Sequence, residues 1–212
     1  MSRLGRGLLL AVVALALTAP VAAAEPTVAS RFAIVGQAEL ATLVARAAEA
    51  PYSADAQFEV AMAFARTPFP ERAWSALERM VALDPEYANR VMERYSALVE
   101  ADPNDLEARF RLAAGLYFRG RTAAARQQLQ QITWRSPQNA WAHTYLGWLQ
   151  AESSRLDLAI GSWQKALAAD PSNVVALWLL GQAHFKKGRA AQASETLKQA
   201  QSLRLAHPLA VK

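Results

Sequence analysis

Pro103, Pro137 and Pro171 stand 34 residues apart, and between them small and large residues recur in one order. Ala140–Pro171 shows the order most clearly: Leu146-Gly147, then Ala159, Trp163, Ala166 and Asp170-Pro171. Gly147 and Ala159 are small where two helix backbones approach closely. Trp163 fills the space one turn beyond Ala159. Pro171 cannot continue the second helix, so it ends one unit and starts the next. The unit before holds Leu112, Ala113, Leu116, Ala125 and Leu129, with Gly120 at its turn. The unit after holds Leu180, Gly181, Ala193, Leu197 and Ala200, with Lys187-Gly188-Arg189 at its turn. A helix pair of this size cannot bury its apolar side alone and must stack on further pairs. The period therefore predicts an all-α array of antiparallel helix pairs. Composition agrees: alanine with Leu, Arg and Gln favours helix, glycine is low at 9 residues, and runs of β-branched residues are few.

This pattern resembles the tetratricopeptide repeat, clearly over Pro103 to Leu205 and weakly over Pro51 to Pro85. The resemblance implies a right-handed solenoid with repeats at 103–136, 137–170 and 171–205. Upstream, residues 37–102 read as degenerate repeat-like helices. Helical spacing begins near Gln37, with Leu40, Leu43, Val44 and Ala47 on one face. Ala54 to Arg66 and Pro70 to Leu83 follow, separated by Thr67-Pro68-Phe69-Pro70, with Ala73 where the hairpin wants a small residue. Then the register slips: Asp84-Pro85 and Asp102-Pro103 are only 18 residues apart. The helix between them is either an extra helix or the second member of a pair begun at Pro70. Residues 206–212 form a short tail. No separate capping helix follows the last pair: either Ser194, Lys198 and Gln201 give the last helix the polar outer side that a solenoid end needs, or that helix is left available for a partner or a second copy.

Residues 1–24 read as an export signal. Arg3 and Arg6 precede the apolar run Leu8 to Leu17, Pro20 breaks it, and Ala22-Ala23-Ala24 suits a signal peptidase. Cleavage after Ala24 leaves Glu25 as the new terminus, no membrane span, and a linker at 25–36. An uncleaved anchor is the alternative reading, since the segment reaches about the lower limit for spanning a bilayer. Both place the rest of the chain outside the cytoplasm, in the periplasm or cell envelope of a bacterium. The formal net charge is +5, or +3 without Arg3 and Arg6, and the basic residues are interleaved with acidic ones. A nucleic-acid reader would show a basic stripe, so nucleic acid is not an expected partner. The chain has no cysteine, which excludes disulfides, thiolate metal sites and a cysteine nucleophile.

In the family that this chain resembles, the first helix of each pair lines the concave face. Carried onto this sequence, the inner positions include Glu107, Phe110, Ala114, Tyr117 and Phe118 in one repeat. Trp141, Thr144, Trp148, Ala151 and Glu152 follow in the next, and Val175, Trp178, Gln182, Phe185 and Lys186 in the last. Aromatics concentrate there, and Trp141, Tyr145 and Trp148 share one helix face by spacing. The candidate partner-binding groove is therefore Phe110, Tyr117, Trp141, Tyr145, Trp148, Trp178, Gln182 and Phe185, read as rings open to a peptide or protein partner. An aromatic stripe can equally be core. The basic and amide residues of a carboxylate clamp are missing at the fifth and ninth inner places. His143, His184 and His207 have no carboxylates spaced to complete a metal site. No phosphate loop, nucleophile elbow or zinc-protease motif is present, so neither an enzyme nor a cofactor is expected. The expected function is an exported interaction scaffold. A self-associating envelope component, and a membrane-tethered accessory of a maturation or secretion complex of the cytochrome c type, stand as alternatives.

Overall fold

The structure, a computed structural model, describes residues 37–207. The expected signal and linker lie outside the described residues. Among them the chain forms only helices: α1 (Gln37–Glu49), α2 (Ala54–Phe64), α3 (Pro70–Leu83), α4 (Tyr87–Ala101), α5 (Leu106–Phe118), α6 (Thr122–Arg135), α7 (Ala140–Glu152), α8 (Leu156–Ala169), α9 (Val174–Lys186) and α10 (Ala190–Leu205). None is long and apolar enough to cross a membrane.

The repeat is visible in the hydrogen bonds as well as the packing. Asp105, Asn139 and Asn173, each two residues after a period proline, cap α5, α7 and α9. Their side-chain oxygens accept from the backbone N–H of Ala108, Ala142 and Ala176 at 2.8, 2.9 and 3.0 Å. The turns inside the pairs repeat too. Gly120, Ser154 and Gly188 all take positive φ, at 71, 60 and 71°. These three turns are polar and largely exposed.

Pair closure follows the size code. A Cβ on Gly147 would lie 2.6 Å from Trp163 Nε1 and 3.0 Å from the Ala159 carbonyl oxygen. Trp163, buried, donates its indole N–H to the Thr144 carbonyl at 3.1 Å. Thr144 also ties one pair to the next: Asn173 Nδ2 donates to its hydroxyl at 3.1 Å. The last helix, α10, buries Ala193 and Ala200 and leaves Ser194, Lys198 and Gln201 exposed, a polar end to the array.

The N-terminal half departs from a simple stack. α4 packs along α5 and barely touches α3. A Cβ on Gly115 of α5 would meet Val91 Cγ1 of α4 at 2.7 Å. So α4 is an extra helix rather than the partner of α3, which settles the choice that sequence spacing left open. α2 and α3 do pair with each other. A preceding repeat in a row would touch only its neighbour. This hairpin instead reaches α5, α7 and the end of α10. Its ion pairs to α5 run in opposite chain order, Arg66 with Glu107 and Glu59 with Arg111, so α2 runs antiparallel to α5. Every residue from Ala61 to Pro70 is buried. The α2–α3 pair lies across the inner face of the array.

Candidate functional site

The inner face is built by α5 and α7 and continued by α9. Its candidate residues fall into two groups. Phe110, Trp141 and Trp148 are only 5, 6 and 7% exposed, Tyr117 and Tyr145 are half-buried, and Phe110 and Tyr145 lie beneath the hairpin. This corrects the expectation of open rings. Trp178 and Gln182 are half-buried, and Phe185 is 72% exposed.

The covered group forms one aromatic run. Phe110 meets Tyr145 edge-on at 5.4 Å, Tyr145 meets Trp148 at 6.3 Å, and Trp148 meets Tyr117 at 4.6 Å. Such pairs contribute about 0.5–1.5 kcal/mol each beyond area burial. The Tyr117 hydroxyl donates to Glu152 at 3.2 Å. Burial, reinforced by the Glu152 charge, raises the Tyr117 pKa well above the usual phenol value. Burial likewise raises Glu152, against the pull of the tyrosine hydrogen bond. Tyr145 is raised by burial. The Trp148 indole N–H is buried with no hydrogen-bond partner among the described residues, a cost of about 1–3 kcal/mol.

The hairpin's turn meets this face through charge and backbone. Arg66 binds Glu107 through two bonds, at 2.6 and 3.1 Å, with its guanidinium 5.7 Å from the centre of the Phe110 ring. Glu107 also accepts from Arg111 at 2.7 Å, and Arg111 reaches Glu59 of α2 at 2.6 Å. Burial disfavours the Arg111 charge, but Glu59 and Glu107 more than offset this and raise its pKa. The Tyr145 hydroxyl donates to the Ala65 carbonyl. Beyond α7, the guanidinium groups of Arg72 and Arg204 lie 4.9 and 5.1 Å from the centre of the Phe69 ring, which is 5.4 Å from the His207 ring. Arg204 pairs with Glu71 at 2.6 Å. Between hairpin and array remains an apolar pocket, partly open to solvent. Met62, Trp74 and Leu77 line one side, and Tyr117, Phe118 and Trp148 the other.

Sequence reasoning missed Arg66, Arg111 and the role of Glu107. The signal available was an arginine inside an apolar, proline-rich turn. The histidines sit in packing positions: His143 Nε2 is 2.8 Å from the Pro137 carbonyl oxygen, and burial lowers the pKa of His143, His184 and His207.

Family models of the tetratricopeptide repeat match residues 110–174 and 150–208. Among solved structures, TTC0263, a thermophilic TPR protein of Thermus thermophilus, aligns with a TM-score of 0.55 at 21% identity, covering 80% of this chain and 92% of its own. The MamA RS-1 ArsTM double mutant aligns with a TM-score of 0.51 at 19% identity, covering 79% of this chain and 84% of its own. Identities this low carry the fold alone. No curated protein matches the chain.

Proposed function

Because this chain belongs to the tetratricopeptide repeat proteins, we propose that it is an exported interaction scaffold that holds a segment of a partner protein against its concave face. One observation carries the reading. The inner face grips a polypeptide turn by a bidentate carboxylate–arginine pair, a bond to a backbone carbonyl and a run of aromatic edges. These are the contacts by which one protein captures a segment of another. Export rests on the charge, apolar run and small-residue ending of residues 1–24. Mass spectrometry of the mature N-terminus tests it: a chain starting at Glu25 supports cleavage, and one starting at Met1 supports an anchor.

The face is tested by photo-crosslinking in the bacterial envelope. Benzoylphenylalanine at Phe185, on the open part of the inner face, is expected to capture a partner protein. The same probe at Gln164, exposed on α8, is expected to capture none. Equal capture from both positions, or none from either, overturns the assignment.

A further inference from the structure

The turn that fills the groove has a composition of its own. Phe64-Ala65-Arg66-Thr67-Pro68-Phe69-Pro70 joins two helices, a task that needs polar, flexible residues. Yet it contains two aromatics, two prolines and a single charge, all buried. Each of its features meets a complementary feature of the array: Arg66 meets Glu107 and Phe110, the Ala65 carbonyl meets Tyr145, and Phe69 meets Arg204 and His207. The prolines fix the backbone, so little entropy is lost on docking.

The fit is incomplete. An apolar pocket, partly open to solvent, lies on the seam between hairpin and array. Trp148 lines the pocket, and its buried indole N–H has no acceptor among the described residues. Unfilled space forfeits dispersion contacts, and an unpaired buried donor costs free energy. A segment that filled the one and accepted from the other would hold the face better than the resident turn does. α3 barely touches α4, and only Asp84, Pro85 and Glu86 join them, so the hairpin's ties to α4 run through α2: the Tyr87 hydroxyl donates to Asp55 at 2.6 Å, and the Phe58 ring lies against Tyr87 and Tyr95.

We propose that the Phe64–Pro70 turn is a resident, displaceable occupant, and that the groove's outside partner is a chain segment of the same chemistry: an arginine followed, three residues on, by an aromatic held between prolines. The inference rests on the reading of the concave face as a segment-binding surface. Arginine enters against Glu107, and the aromatic enters the cationic and imidazole contacts of Arg204 and His207.

A labelled synthetic peptide of residues 61–72, added to the full chain, tests the proposal. Hydrogen exchange of α2 and α3 is expected to rise on adding peptide while α8 and α9 stay protected. In the full chain, Arg66→Glu sets a carboxylate against Glu107 and leaves the groove wall intact. This variant is expected to bind the peptide about 10-fold or more tightly than the unaltered chain, because the competent state is no longer masked. Adding Glu107→Arg is expected to remove that binding, as is placing glutamate at the peptide's arginine. If Arg66→Glu fails to fold, exchange in the unaltered chain decides alone. Exchange that saturating peptide leaves unchanged overturns the proposal, as does binding indifferent to the peptide's arginine. A peptide-insensitive chain that sediments as a dimer would assign the groove to a second copy, and also overturns it. If the peptide fails while Phe185 still captures a partner, the displacement idea falls and the groove reading stands. Displacement by the peptide without capture at Phe185 would count against the groove's use by an outside protein alone.

Discussion

Two helix pairs in this chain obey the same size code and do different things. In α7–α8, Gly147 and Ala159 bring the backbones together and Trp163 seals the joint. In α2–α3, the buried Ala73 and Leu77 occupy the matching places. Yet α7–α8 stacks on its neighbours in a row, and α2–α3 lies across the row. The code therefore specifies how a pair closes and says little about what the closed pair rests on. Stacking needs further groups, such as the Asn173 amide bonded to Thr144 across the boundary. It also needs a turn that tolerates water. Arg119-Gly120-Arg121 and Lys187-Gly188-Arg189 are largely exposed, whereas Arg66 to Phe69 is buried.

The largest expected effect is that of removing the seal. Trp163→Ala should lower the stability of the whole array by about 3–5 kcal/mol, read from urea unfolding by circular dichroism. A loss confined to α7 and α8 in hydrogen exchange would show that the array is not cooperative. Next comes the tie between pairs. Thr144→Val leaves the buried Asn173 amide without its hydroxyl partner and should cost about 1–3 kcal/mol. The midpoint of unfolding should fall while exchange in α2 and α3 keeps its wild-type pattern. Ser154→Gly works in the opposite direction. Ser154 is the single non-glycine at positive φ among the described residues, where an L side chain costs about 1–2 kcal/mol. Glycine there should stabilise the array by up to about 1 kcal/mol, since its greater freedom in the unfolded chain offsets part of the relief.

Acidification is the mildest test. His143, His184 and His207 have folded pKa values lowered by burial, so the native state favours their neutral forms. The unfolded chain then binds more protons, and stability is present above about pH 6.5 and lost as pH falls below it. Unfolding midpoints at neutral and mildly acidic pH check the sign. A midpoint that rises on acidification would mean that the histidines gain partners when protonated.

Much of the array is legible in the sequence because its determinants are local and periodic. Gly147, Trp163 and Pro171 lie within one unit, and their spacing alone specifies the hairpin. The inner face resists the same treatment. Tyr145 bonds to Ala65, 80 positions away, and Arg204 to Glu71, 133 positions away. Contacts of that separation leave no period in the sequence. The aromatics of α7 do share one face, as their spacing predicts, but that face is covered rather than open. Helical spacing identifies a shared face without saying what lies on it. The clue that does exist is chemical: a loop with Phe69 between two prolines has too little polarity to face water.

The three residues between α3 and α4 set one more property. A link this short keeps a released hairpin within a small volume around the groove. Its effective concentration there is on the order of millimolar, as for short tethers in general. Any outside segment competes against that concentration whatever its own intrinsic affinity. A single copy in dilute solution would therefore bind weakly, while a partner that presents several copies, or one held close by a second contact, would win. The link thus acts as a threshold on partner valency.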